Sequence, residues 1–289
     1  MEVCTPVLSR AAGTDPAIEP LRTCYTGPEY PGGLDLYLQT SPEFPMKRLL
    51  AEGSGPIYQL AQVFRDGEYG LRHNPEFTLL EWYRPGFDHH QLMDEVADLV
   101  RACLGEPLEV EKFTYVDLFL EHIGVHPLDA DVAELLAAAE QLGLVVEGVT
   151  DRNEWLDLFM SLVIEPRLGR DRLTFVHDYP ASQASLARLN PGDSRFASRF
   201  ELYFRGVELA NGFHELTDAA EQRRRFEEEN RQREKKGQRL LPLDENLLAA
   251  LEAGLPDCAG VALGLDRLLM LSLNASCLDD VLSFSLKNA

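Results

Sequence analysis

Positive charge is scarce in this sequence. Its 289 residues hold 27 Lys and Arg against 48 Asp and Glu, a formal net charge of −21. A protein that grips phosphate backbones carries a basic surface, so extensive nucleic-acid binding is disfavoured. An acidic body suits a cationic substrate or a basic protein partner instead. Cysteine is sparse as well. Cys4, Cys24, Cys103, Cys258 and Cys277 form an odd set without a CxxC pair. That argues against a disulfide framework and a structural zinc site, and fits a reducing compartment. Long hydrophobic runs are missing too. The most apolar stretch, 258–273, is broken by Asp266 and Arg267 and is too short to span a bilayer. The segment from Met1 to Pro6 lacks the basic and apolar regions of a signal peptide. The expectation is a soluble, cytoplasmic protein with no membrane association. Neither a P-loop nor a Rossmann glycine fingerprint occurs, so any nucleotide chemistry uses another scaffold.

What the chain does contain is an ordinary globular balance, 45% hydrophobic and 26% charged. Residues 1–87 are rich in Pro, Gly and aromatics. Ile57–Phe64 and Phe77–Tyr83 read as strands. His89–Leu104 has helical spacing at Leu92, Val96, Leu99 and Cys103. Tyr115–Ile123, Val132–Leu142 and Glu154–Ile164 read as helices. They make the region around 105–172 a mainly helical insertion covering one side of a sheet. Strand character returns at Leu173–Val176, and Phe196–Leu209 reads as one long strand. Asp218–Lys236 is a charged helix in which residues 222–236 hold seven Lys or Arg and four Glu. Gly260–Leu263 reads as a short strand and Leu265–Leu273 as a helix. Strands set apart by long helical segments predict an α+β fold in a single domain over 1–289.

Three constellations could carry chemistry. Phe64-Arg65-Asp66-Gly67-Glu68, then Arg72-His73-Asn74-Pro75-Glu76-Phe77-Thr78 and Glu81-Trp82-Tyr83, read as strand, mobile loop, strand. The Arg, His and Asn donors suit phosphates and purine edges, Phe77 offers a stacking face, and Glu81 and Tyr83 share one face. A solvated hairpin is the plainer reading of the same residues. Glu208-Leu209-Ala210-Asn211-Gly212-Phe213-His214-Glu215 is the second. On a regular strand its acids fall on opposite faces, and Asn211-Gly212 is a natural place for a bulge or bend that resets the parity. Two carboxylates and an amide on one cavity would suit Mg²⁺ or an ammonium group, while an Asn-Gly hairpin turn with surface acids fits equally. The third runs from Gly260 to Leu268, where a strand meets a helix at Gly264 and Arg267 sits in the first turn. Arg267 is open to two readings, a structural ion pair or a triphosphate ligand.

Taken together, the three blocks resemble motifs 2 and 3 of class II aminoacyl-tRNA synthetases, with the acidic strand of the lysyl subclass between them. Val3-Cys4-Thr5-Pro6 resembles the end of motif 1. Thr40-Ser41-Pro42-Glu43 with Lys47-Arg48 looks like the amino-acid-binding loop. Tyr179-Pro180-Ala181-Ser182-Gln183 and Ser185-Leu186-Ala187 sit where that family has a Pro-Leu-Ala stretch. The resemblance covers nearly the whole chain. It implies the class II catalytic fold, mostly antiparallel sheet flanked by helices. Because the motif 1 resemblance lies at its first residues, no N-terminal anticodon-binding domain is expected. Ala262 stands where the synthetases usually have Gly. Glu81-Trp82-Tyr83-Arg84-Pro85 and Pro256-Asp257-Cys258, like Ala262, resemble the protein-modifying branch of the subclass.

The resemblance implies ATP as co-substrate and Mg²⁺. It also implies activation of (R)-β-lysine as an adenylate and its transfer to a lysine side chain of elongation factor P. Arg65 and Arg267 are the expected catalytic residues, on the α- and γ-phosphates. Asp66, Gly67, Glu68, His73, Asn74, Phe77, Glu208, Leu209 and Gly264 complete the expected ATP site. Gly67 stands where the subclass has the Glu that contacts adenine, with Glu68 one position on. Ser41, Pro42, Glu43, Tyr83, Asn211, Glu215 and Ala262 are the expected substrate-binding residues. Glu43 would take the substrate's backbone-type amine, and Tyr83 with Glu215 its side-chain ammonium. Glu208 and Glu215 would hold the metal. A homodimer is expected, and tRNA is not an expected partner. A compact lysyl-tRNA synthetase paralogue and a catalytically inactive regulatory paralogue are the alternative readings.

Overall fold

The computed structural model describes residues 1–146 and 148–289. In chain order it forms β1 (Leu8–Ser9), β2 (Arg22–Gly27), β3 (Tyr30–Leu38), α1 (Glu43–Ala51), β4 (Ile57–Phe64), β5 (Glu76–Pro85), α2 (His89–Leu104) and β6 (Val110–Thr114). There follow α3 (Tyr115–His122), α4 (Val132–Gln141), α5 (Arg152–Phe159), β7 (Leu173–Pro180), β8 (Phe196–Phe204), β9 (Val207–His214), α6 (Ala219–Lys235), α7 (Glu245–Gly254), β10 (Cys258–Gly264) and α8 (Leu265–Ser272). These elements gather into two compact units, residues 1–87 with 216–289, and residues 88–215.

In the first unit β4, β5 and β10 form an antiparallel ladder with β5 in the middle. β4 alternates buried and exposed along its length, the signature of a strand with one covered face. Leu60 and Tyr58 lie on its open face. β1, β3 and β2 form a separate small antiparallel sheet. α1 packs against α7, and α8 against β5. The long charged helix α6 starts at Asp218, whose carboxylate caps the backbone N–H groups of Ala220 and Glu221. Its Arg233 is fully buried. Glu19 takes its charge, and the carbonyls of Asp15 and Arg239 take further N–H groups. Thus a very polar helix holds the segment before β2 in place.

In the second unit β9, β8 and β7 run antiparallel, and β6 lies parallel to β7. One face is covered by α3, α4 and α5, whose Phe119, Leu135, Trp155 and Phe159 meet Val176, Tyr179 and Tyr203 of the strands. α2 packs against β8 and β9. It opens with a reciprocal cap between Asp88 and Gln91 and closes on Gly105 in the left-handed conformation. Leu92, Met93, Val96 and Val100 are in its buried stripe; of the four positions read from the sequence, Leu92 and Val96 belong to it, whereas Leu99 is half-buried and Cys103 exposed.

The sequence reading of one strand over Phe196–Leu209 is corrected. The chain reverses at Arg205 and Gly206, with φ of 52° and 68°. Two successive left-handed residues make a hairpin turn of the kind that matches strand twist. Asn211-Gly212, the more obvious turn signal, lies inside β9, paired with Glu201 and Phe200. The irregularity falls earlier than expected. Leu202 pairs with Ala210 but Tyr203 pairs with Glu208, so Leu209 is the extra residue of a bulge.

Candidate active site

In the first unit the ladder sets its residues by register. Glu81 lies between Gln59 of β4 and Ala262 of β10, and Tyr83 between Ile57 and Gly260. Cross-strand partners share a face, so Phe77, Leu79, Glu81 and Tyr83 line up beside Gly260, Ala262 and Gly264. Ala262 and Phe77 pack against Ala61, Val63 and Leu79 at one end of this face, and Glu81 and Tyr83 are buried at the other. Glu81 is only 2% exposed. Its Oε2 accepts from Ser41 Oγ at 2.8 Å and its Oε1 from Tyr83 Oη at 2.8 Å. Ser41 and Tyr83 thus fix the orientation of a buried carboxylate.

Ser41 does a second task. Its Oγ accepts from the Glu43 backbone N–H at 3.0 Å, just after Pro42 at the start of α1. Glu43 in turn accepts from Lys47 Nζ at 2.6 Å through Oε1. Ser41, Pro42, Glu43, Tyr83 and Ala262 are therefore brought together in one unit, with Glu81 joined to them by hydrogen bonds. Glu81 was noticed in the sequence only as a face-mate of Tyr83. Its burial shows it to be the hub.

The β4–β5 loop carries the nucleotide candidates. Arg65 follows β4 directly and lays its guanidinium over the Phe77 ring, 5.0 Å from the centroid. Its Nη1 is 3.7 Å from Glu68, and its Nε is buried without a hydrogen-bond partner among the described residues. An Arg with a spare donor is poised for an anion. Asp66 and Gly67 are exposed at the turn, where Gly67 has φ of 78°. A side chain at this position would be strained, which accounts for a Gly at the turn. His73 Nε2 meets Arg267 Nη2 at 2.9 Å. Because Arg only donates, this nitrogen accepts and the ring is neutral. Burial, then Arg267, push the His73 pKa down, in agreement. Arg267 also donates to the Arg72 carbonyl at 3.2 Å. Asp266, next to it, accepts from the Thr78 N–H at 2.7 Å and ties the start of α8 to β5. Asn74 is spent on the backbone: it donates to the Glu76 carbonyl and accepts from the Leu286 N–H. Gly264 sits at the junction of β10 and α8, and Arg65 and Arg267 are thus both presented by the same loop-and-helix corner.

The second unit carries the acidic strand. The bulge at Leu209 resets the parity of β9, so Glu208, Asn211 and Glu215 fall on one face, opposite Tyr203 and Glu201. The cause is the bulge, not a bend at Asn211-Gly212. Glu215 is 1% exposed, just beyond the strand, and its carbonyl accepts from Arg188 Nε at 3.0 Å. Asn211 Oδ1 accepts from Arg199 Nε at 3.3 Å, so its amide N–H groups point away from that cation. Sequence reasoning missed Arg199 and Glu201. Glu201 is buried and takes Arg199, Tyr203 and, at 2.6 Å, Tyr179. Burial, then the Glu201 charge, hold both phenols well above their usual pKa. Mg²⁺ takes one or two carboxylates and the rest of its ligands from phosphates and water, so Glu208 and Glu215 are of the right chemistry to hold it. Among the described residues no cluster of three or more His, Cys, Asp or Glu is placed to chelate a metal.

Comparison with known proteins agrees with this architecture. Residues 1–288 match the family model for tRNA synthetases class II (D, K and N). The chain is 52% identical over 291 aligned positions to the elongation factor P–(R)-beta-lysine ligase of Pectobacterium atrosepticum, covering all of this chain and 89% of that protein. Ligases of the same name from Klebsiella pneumoniae and Edwardsiella ictaluri are 50% and 53% identical with the same coverage. The chain therefore belongs to the class II tRNA synthetases of the D, K and N group and, within them, to the same family as these ligases.

Proposed function

We propose that this protein joins (R)-β-lysine to a lysine side chain of elongation factor P at the expense of ATP. The observation that carries the reading is the buried Glu81, hydrogen-bonded by Ser41 and Tyr83 above the small residues of β10. A buried carboxylate oriented in this way suits the ammonium group of an amino acid. Half identity along the whole chain to the ligases supports the choice of acceptor.

Two steps follow. A substrate carboxylate oxygen attacks the α-phosphorus of ATP, the bond to the β-phosphate oxygen breaks, and pyrophosphate leaves an adenylate. The neutral ε-amine of the acceptor lysine then attacks the adenylate carbonyl. An amide forms, AMP departs and the amine loses a proton. No protein nucleophile is required, and catalysis is positioning plus charge stabilisation. Arg65 meets charge growing on the α-phosphate. Arg267 holds the γ-phosphate, with His73 beside it. Phe77 stacks on adenine, and Asn74 acts through the loop shape it fixes. Asp66, Gly67, Glu68 and Gly264 contribute backbone and loop geometry to the nucleotide site. Glu43 takes one substrate amine and Glu81 with Tyr83 the other. For the second unit the resemblance alone assigns Leu209 to ATP and Asn211 and Glu215 to the substrate. Glu208 and Glu215 would hold Mg²⁺, which supplies charge neutralisation to the phosphates. We place the enzyme in the cytoplasm; among the described residues no helix is long and apolar enough to cross a membrane.

The test is ATP–pyrophosphate exchange with (R)-β-lysine and with α-lysine, followed by offering elongation factor P or tRNA as acceptor. Labelled elongation factor P is the expected product.

A further inference from the structure

Lys47 is a paradox in a site meant for cations. It is 2% exposed, an ammonium inside the first unit, one helical turn from the carboxylate proposed to take a substrate amine. A buried ammonium is costly to keep unless it is paired and hydrogen-bonded. The geometry resolves the conflict. Lys47 Nζ engages Glu43 Oε1 at 2.6 Å, and Glu43 Oε2 accepts no hydrogen bond among the described residues. One oxygen is anchored and the other is available. The same turn is fastened from the opposite side: Ser41 Oγ accepts from the Glu43 N–H and donates to Glu81.

We infer that Lys47 is a positioning residue for amino-acid recognition. Its ammonium orients Glu43 so that Oε2 faces the substrate. Through Ser41 the Glu43 turn is locked to Glu81, so the two carboxylates proposed to take the two amines stand at a fixed spacing. Lys47, Glu43, Ser41, Glu81 and Tyr83 form one connected frame that measures the separation between the amines of a diamino acid. This rests on the amino-acid reading of the site given above.

The test is exchange kinetics of the full chain with (R)-β-lysine and with 6-aminohexanoate, which keeps the distal amine and lacks the one assigned to Glu43. In Lys47→Met the KM for β-lysine should rise roughly tenfold or more, the size of one charge-assisted hydrogen bond. The KM for ATP, the kcat at saturation and the KM for 6-aminohexanoate should hold. Lys47→Arg should recover most of the loss. Equal losses for both amino acids and ATP, or an unchanged KM for β-lysine, would overturn the proposal. If Lys47→Met does not fold, Ser41→Ala decides: it should raise the β-lysine KM more than the ATP KM, and no change in their ratio refutes the frame. Wild-type protein that exchanges with no lysine-type amino acid would instead sink the functional reading itself.

Discussion

Glu81 and Glu201 are the same side chain in two different jobs. Glu201 receives two phenols and a guanidinium, so its hydrogen-bonding capacity is directed into the packing of its unit. Glu81 receives two hydroxyls, one from its own strand and one from the turn before α1, and so ties β5 to that turn. Sequence spacing shows that Glu81 and Tyr83 share a face but cannot show what each acid holds together. That depends on partners distant in the chain, such as Ser41. His89 allows a prediction at the same scale. It is 6% exposed at the start of α2, its ring 4.1 Å from His90 and 6.3 Å from His214. Both ring nitrogens lack a hydrogen-bond partner among the described residues. Burial first, then His90, lower its pKa to about 4, against the opposing pull of Asp178 and Asp88. The unfolded chain takes up this proton near pH 6.5, while the folded chain resists until near pH 4. Stability is therefore intact above pH 6.5 and is lost as pH falls toward 4, by about 2 kcal/mol at pH 5. Replacing His89 with Met keeps an apolar side chain of similar size and removes the penalty. The Tm drop between pH 7 and pH 5 should shrink in His89→Met; an unchanged drop would show that other groups set it.

At the scale of elements, the β8–β9 hairpin decides which acids face together. Its turn is clasped by the segment before β7: Gly206 N–H donates to the Leu168 carbonyl at 2.9 Å and Arg205 N–H to that of Gly169. Gly169 has φ of 64°, and a Cβ there would lie 2.6 Å from Phe204 Cα and from the Tyr203 carbonyl oxygen. Both contacts are backbone and cannot swing aside. Gly169→Ala should cost about 2 kcal/mol or more, from left-handed strain plus overpacking. Chemical denaturation would show it as a lower midpoint; equal midpoints would mean the clasp is loose. The regular elements were legible because periodicity is local. β4 and α2 fall where alternation and helical spacing place them, and α6 begins at its Asp218 cap. The hairpin turn was not, because Arg205 in a left-handed conformation has no sequence signature while Asn211-Gly212 has a strong one. The bulge at Leu209 was equally silent, yet it sets the parity of the acidic strand. The β2–β3 hairpin, α1 and α7 also went unread, being short segments in stretches rich in Gly, Pro or Leu.

For the whole molecule, charge separates the candidate partners. The basic run on α6 is the stretch that favours tRNA, and its five arginines are paired. Arg223 meets Glu245, Arg224 and Arg225 meet Glu221, Arg231 meets Glu228, and Arg233 meets Glu19. Paired cations release few counterions and contribute little to backbone binding. With a net charge of −21, the surface favours a basic protein segment over a nucleic acid. We also propose a homodimer, as the resemblance implies; light scattering should give about twice the monomer mass, and an active monomer would contradict it. The class II fold and the adenylating chemistry were legible in the order of three motifs along the chain, because that order is a property of sequence alone. The central claim is transfer of an activated β-lysine to protein. Its most direct measurement is a single reaction containing ATP, labelled (R)-β-lysine, elongation factor P and tRNA. Label on a lysine of elongation factor P, with tRNA unlabelled, is the predicted result. Label on tRNA alone would contradict it.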